Sequence, residues 1–265
     1  MSNRVASADG AQSAADEWSA WQRERYAAAT APYGTASLTL TAWVSSEPRE
    51  IPGLPGRWRA RGGAIVGSEF ETGAYTTVDG TPLAGEVVLE QNGRVEARAG
   101  ARAIRRFARG DQLAVRIFDP AAEGRVTLQA IEAYAPDEAW RIAARFEAAA
   151  EEREIELADG YRHEVETSGS DVFLREGVEY RLTATVRPTG IAVVFGDTTN
   201  GVESYGFRFL TVALPDAEGR TTIDFNRAYL PPCAFSDQFV CPLPTPENRL
   251  PIPIRAGEWS LVRAK

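Results

Sequence analysis

From Ser37 onward the chain is written in short segments of β-branched and aromatic residues, each closed by glycine, proline or an Asp-Gly or Asn-Gly pair. No other feature constrains the fold as much, because segments of about four to eight residues suit strands and are too short for helices. SLTLTAWV (37–44) alternates with period two, and PGLPG (52–56) breaks the chain before RWRARGGAIV. Further strands are expected at Glu86–Glu90, Arg94–Arg98, Leu113–Phe118 and Arg125–Ala133, with turns at Asp79-Gly80, Asn92-Gly93 and Glu123-Gly124. In the second half the same signals mark Asp171–Leu174, Tyr180–Arg187, Ile191–Phe195, Gly206–Ala213 and Thr221–Phe225. Pro188-Thr189-Gly190 joins two of these closely, as a hairpin does. One segment, AWRIAARFEAAAEER (139–153), has helix-forming composition, yet Trp140, Ile142 and Phe146 equally allow a strand.

Only the start of the chain reads clearly as helix. Across 11–30, Ala14, Trp18, Trp21, Arg25 and Ala28 recur at three- and four-residue spacing, and Pro32 stops the pattern. The spacing predicts a helix over 14–29 that docks through its tryptophans. The expected fold is therefore all-β, a sandwich or flattened barrel of mainly antiparallel strands with the N-terminal helix packed outside. Residues 1–10 are expected to be disordered and 11–265 to form one β-rich domain, with a soft subdivision near 150 and no linker. No apolar run approaches the roughly eighteen residues of a membrane span, and MSNRVASADGAQ lacks the apolar stretch of a secretory signal. A cytoplasmic address with no membrane partner is expected.

Composition removes much familiar chemistry. Lys265 is the only lysine, so no internal Schiff base, pyridoxal-phosphate anchor or phosphate-loop lysine is expected. His163 is the only histidine, which rules out metal sites built on two or three histidines within one chain. No G-x-S-x-G, G-x-G-x-x-G or H-E-x-x-H motif occurs. Any activity is expected to need no cofactor.

The net charge of −8 argues against nucleic acid as the main partner. Locally the balance reverses: Arg94, Arg98, Arg102, Arg105, Arg106, Arg109 and Arg116 face only Glu96 and Asp111. A nucleic-acid surface needs aromatics between such arginines on one face, and within the run only Phe107 is aromatic. Solvated strand faces are the preferred reading, with the acidic stretch Glu147–Glu166 available to neutralise them.

The densest polar chemistry lies in DFNRAYLPPCAFSDQFVCPLPTPENRLPIPIRAGE (224–258), where seven prolines prevent regular pairing. A proline-stiffened strap holds polar groups at little entropic cost. Two readings compete: a preorganised site, or a closure whose Asn and Arg side chains cap stray carbonyls. The site is preferred. Its candidate catalytic groups are Asp224, Glu247 and Tyr205, and its candidate ligand-binding groups are Asn226, Arg227, Asn248, Arg208 and Asp197. Asp224 and Asn226 stand two apart and share a strand face, while Arg227 points away. Cys233 and Cys241, the only cysteines, read first as buried thiols, then as a disulfide, then as a nucleophile, and last as metal ligands.

VVFGDTTNGVESYGFRFL (193–210), the strap, and W-x-x-W-x-x-x-R followed by ASLTLTAWV resemble a bacterial family, domain of unknown function 1684, with the signature DFNRAxxPPCAF…CPLPPPENRL. The resemblance is specific in the C-terminal third and traceable over nearly the whole chain, which implies one folding unit. Many relatives carry Asn where this chain has Leu230, so any role of that Asn is absent here. The family implies no reaction. The function expected from the residues is an enzyme on a small organic ligand, using acid/base or electrostatic catalysis (hydrolysis, isomerisation or cyclisation) under the strap. The alternatives are a non-catalytic small-molecule-binding β protein and a protein-interaction module.

Overall fold

Strands form where the alternation predicts them, and a computed structural model describing residues 3–264, with side chains from Asp16 onward, sorts them into two compact units. The fold is all-β with antiparallel sheets and an N-terminal helix, α1 (Asn3–Thr30). The expected disordered stretch, 1–10, falls on positions whose side chains lie outside the described residues.

The N-terminal unit takes in Ala27–Leu128 and a short return, Phe235–Phe239. Its strands are β1 (Leu38–Val44), β2 (Arg49–Ile51), β3 (Leu54–Arg61), β4 (Ala64–Ser68), β5 (Val87–Leu89), β6 (Val95–Ala99), β7 (Arg102–Arg109) and β8 (Gln112–Phe118). They form two four-stranded sheets, ordered β1-β8-β7-β6 and β2-β3-β4-β5. Trp58 sits fully buried in the core, edge-on to Tyr75 at 5.6 Å. Gly67 lies against the Trp58 ring so closely that a Cβ there would stand 2.8 Å from it, which excludes any larger residue without repacking. The return segment belongs to this unit because Gln238 accepts the Thr41 N–H and the Ser236 hydroxyl donates to the Leu38 carbonyl. Where a turn at Glu123-Gly124 and a strand from Arg125 are expected, the chain forms a helical turn, α2 (Glu123–Val126). Thr127 Oγ donates back to the Glu123 carbonyl and Arg125 donates to the carbonyls of Thr30 and Pro120, closing that turn.

The C-terminal unit combines α1 up to Tyr26, Gln129–Ala234 and the chain from Val240. Its elements are β9 (Leu128–Ala133), β10 (Arg141–Glu156), β11 (Arg162–Arg175), β12 (Val178–Arg187), β13 (Gly190–Phe195), β14 (Arg208–Val212), β15 (Arg220–Asp224), α3 (Pro232–Phe235) and β16 (Glu258–Arg263). A six-stranded sheet runs β14-β13-β12-β11-β10-β15, and β9 pairs with β16. The ambiguous 139–153 segment is strand from Arg141: β11 and β15 pair on its two sides, so sheet pairing overrides the helical composition. The subdivision expected near 150 would fall inside this same strand; the chain passes between units at 128/129 instead. Pro188 and Thr189 form the two-residue turn of a hairpin in which Arg187 faces Gly190. Phe225 centres the core, with Trp140, Phe173 and Phe195 edge-on around it at 5.4–5.8 Å.

Within this unit Arg25 of α1 makes the helix's charged anchor, beside the half-buried Trp18 and Trp21. Arg25 forms a two-pronged pair with Glu258 at 2.7 and 3.0 Å and lies over the Tyr229 ring. Trp21 lies beside Arg227, and the buried Trp18 indole N–H meets no acceptor. Among the described residues no helix is long and apolar enough to cross a membrane.

Candidate functional site

Two asparagines of the strap do the work of missing peptides. The β12–β13 ladder ends at Thr185↔Ala192, and Asn248 fills the gap where Thr183 and Val194 would pair next. Its Oδ1 accepts the Thr183 N–H at 2.7 Å, and its Nδ2 donates to the carbonyls of Thr183 and Val194. Asn226 brackets Asp137 in the same manner, accepting its N–H and donating to its carbonyl, both at 2.9 Å. Asp224 caps the 3-10 turn Phe225–Arg227 by accepting the Asn226 N–H and side-chain amide. These contacts are those of the closing strap. Glu247 is half exposed beside Arg153, and its own backbone N–H, then Thr245 and last Arg153, hold its carboxyl below the usual range. Arg227 lies between Trp21 and Glu17.

Asp197 and Arg208 form a sealed pair at 2.6 Å. The remaining acceptor capacity of Asp197 goes to Thr199 and the Ile254 N–H, while Arg208 also donates to the carbonyls of Ala256 and Ile254. Asn200 and Ser204 complete this knot at the Asn200-Gly201 turn. Arg208 therefore anchors the strap inside the unit, with no exposed surface for a ligand.

Tyr205 is tied to this knot through its carbonyl, which accepts from Asn200, but its side chain belongs to another grouping. It lines a cleft of about 590 Å³ together with Leu230, Ala234, Trp259 and Arg263. Its hydroxyl is hydrogen-bonded to the partly exposed Cys233, whose backbone N–H points at the buried Cys241 sulfur 3.3 Å away. Burial pushes the Tyr205 phenol well above its ordinary value, so it is protonated at neutral pH. The Cys233 thiol moves the other way, down to about 7: hydrogen bonds from Cys241 and Tyr205 favour the thiolate and outweigh burial. The two cysteines are free thiols, and the described residues contain no cluster of three or more His, Cys, Asp or Glu suited to a metal.

Asp171 was not singled out in the sequence. On β11 it lies opposite Phe146 and Leu182, facing the core, with both carboxylate oxygens buried and without partners. Burial alone raises it to about 7. Its signal was available as parity: Asp171 and Phe173 share a strand face. Glu258, a polar group of the strap that was not among the candidate site residues, accepts from Arg25 and from the Leu230 N–H.

A family model described as "Protein of unknown function (DUF1684)" matches residues 126–259, just over half of the chain. The chain belongs to this family. In this DUF1684 chain the matched stretch contains Asp171, the Asp197–Arg208 pair, Tyr205 and the two cysteines, while β1 to β8 lie outside it. The match is thus shorter than the nearly whole-chain extent that the resemblance implied. A solution NMR structure of an uncharacterized protein from Haloarcula marismortui is 31% identical, over 51% of this chain and 77% of that one, with a TM-score of 0.41. No curated protein matches.

Proposed function

We propose that the C-terminal unit is a small-molecule enzyme of the hydrolytic, acyl-transfer kind, working at the Tyr205–Cys233 pair beside the cleft that Tyr205 lines, without histidine or nucleotide cofactor. The observation that carries this reading is the Tyr205–Cys233–Cys241 cluster, in which one thiol is poised to ionise near neutral pH and its phenol neighbour stays protonated. The Cys233 thiolate attacks the carbonyl carbon of a small acyl compound, and Tyr205 gives its proton to the leaving group as the tetrahedral adduct collapses. Water then hydrolyses the thioester and returns the proton to Tyr205. The ligand is a small organic molecule, and a reducing cytoplasm keeps both thiols available. Asp224 and Glu247 have no part in this reading, since one caps a turn and the other is half exposed beside Arg153.

The test is a burst experiment with p-nitrophenyl acetate. One equivalent of nitrophenol should be released rapidly, with the acetyl group located on Cys233 by mass spectrometry. Cys233→Ser should abolish the burst and Tyr205→Phe should slow it. Acetylation elsewhere, or a burst indifferent to both substitutions, would remove the reading.

A further inference from the structure

The arginine run between 94 and 116 takes on a new meaning once the N-terminal unit is folded. Arg105 of β7 stands directly across from Arg116 of β8, so two like charges share one face of the sheet. Such a pairing is destabilising by itself. Ile104, Val115 and Ile117 point the opposite way, into the core. Phe107 of the run is joined on the arginine face by rings from outside it: Arg116 lies 3.6 Å over Phe107 and 5.0 Å from Phe239, and Arg105 lies 4.1 Å over Phe118. The interleaving that the linear run lacks is therefore present in space.

These groups surround a cavity of about 430 Å³, within the size range of small-molecule sites. Arg105 and Arg116 are on its lining and no Asp or Glu is; Arg106 borders it too, but its side chain belongs to the opposite face, where it donates to the Gly63 carbonyl. The Tyr33 carbonyl takes one donor of Arg105 and the Thr41 hydroxyl takes one of Arg116, while the buried Arg105 Nε has no partner. Within the acidic stretch of the C-terminal unit, Glu147 pairs with Arg145 and Arg181, and Glu154 and Glu156 pair with Arg162. Burial draws the Arg105 guanidinium below its ordinary value, as expected of a cation desolvated without a counter-ion.

We infer that this cavity is a binding site for a small organic anion, an aromatic or apolar body carrying a phosphoryl or carboxylate group. The guanidinium forks take the oxyanion and the Phe118 and Phe239 rings take the body. The rings are themselves covered by arginines, which favours a compact ligand over a run of stacked bases. The inference is independent of the cleft at Tyr205.

Calorimetric titration of the full chain with phenyl phosphate and with benzoate tests it. At least one of them should bind at one per chain, and the stronger of the two identifies the anionic group. Arg105→Gln and Arg116→Gln should each weaken binding about tenfold, the loss of a charge-assisted hydrogen bond. Arg94→Gln, off the lining, should leave it unchanged. If either pocket variant fails to fold, wild-type protein still decides, because benzyl alcohol should not bind. No binding of either anion, equal binding of benzyl alcohol, or unchanged affinity in folded Arg105→Gln and Arg116→Gln would overturn the inference. So would tight binding of an oligothymidylate that phenyl phosphate does not displace, which would mark an extended nucleic-acid surface instead.

Discussion

Arg208 and Asp197 meet at 2.6 Å with neither side chain reached by solvent. Removing one partner leaves a buried charge uncompensated, which costs about 3–5 kcal/mol. Arg208→Met and Asp197→Leu should each lower the denaturation free energy by that order, and the double substitution should recover much of the loss. Urea titrations of the three variants check this, and added salt should change little because the pair is shielded from solvent ions.

Asp171 should make stability fall with rising pH. Its folded-state value near 7 lies above the ordinary unfolded value of about 3.9, so folding takes up a proton between the two. The full contribution is present below about pH 4 and is lost as pH rises through about 7. Asp171→Asn should flatten that limb and stabilise the protein at pH 8 by about 2–4 kcal/mol. Melting temperatures of wild type and variant across pH 4–8 give the comparison, and parallel curves would contradict it.

Cys233 should alkylate with an apparent midpoint near pH 7, against about 8.5 for an ordinary thiol. Cys241→Ala removes the strongest stabiliser of the thiolate and should move the midpoint upward, with a smaller upward move in Tyr205→Phe. Iodoacetamide rates measured against pH, with the modified residue identified by mass spectrometry, decide the order of these effects.

Neighbouring strap residues should respond in opposite ways. Asn248→Ala deletes three hydrogen bonds that bridge β12 and β13 and should cost roughly 2–4 kcal/mol. Glu247→Gln, at a half-exposed position, should stay within about 0.5 kcal/mol. Equal losses in thermal melts would show that the strap does not close the sheet through Asn248.

The fold was largely legible because alternation and turn residues are local signals: the Pro188–Thr189 hairpin and the strands from Asp171 to Phe225 follow from them directly. The 139–153 segment was not, because its composition speaks for helix and only the pairing of β10 with two neighbours decides the matter. In the site, Tyr205 was legible as a polar residue beside the Asn200-Gly201 turn. The peptide-like roles of Asn226 and Asn248 were hidden, since Asp137 and Thr183 lie far from them in the chain. The same holds for the arginine face, whose rings come partly from residues outside the basic run.

The pairing of Arg25 with Glu258 also sets an order of events during synthesis. The two residues are 233 positions apart, so the first helix leaves the ribosome long before its carboxylate partner exists. At ordinary elongation rates the interval is roughly 10–50 seconds. The N-terminal unit from Ala27 to Leu128 can collapse within that interval. Throughout that interval the helix carries Arg25 without the carboxylate that the folded unit gives it.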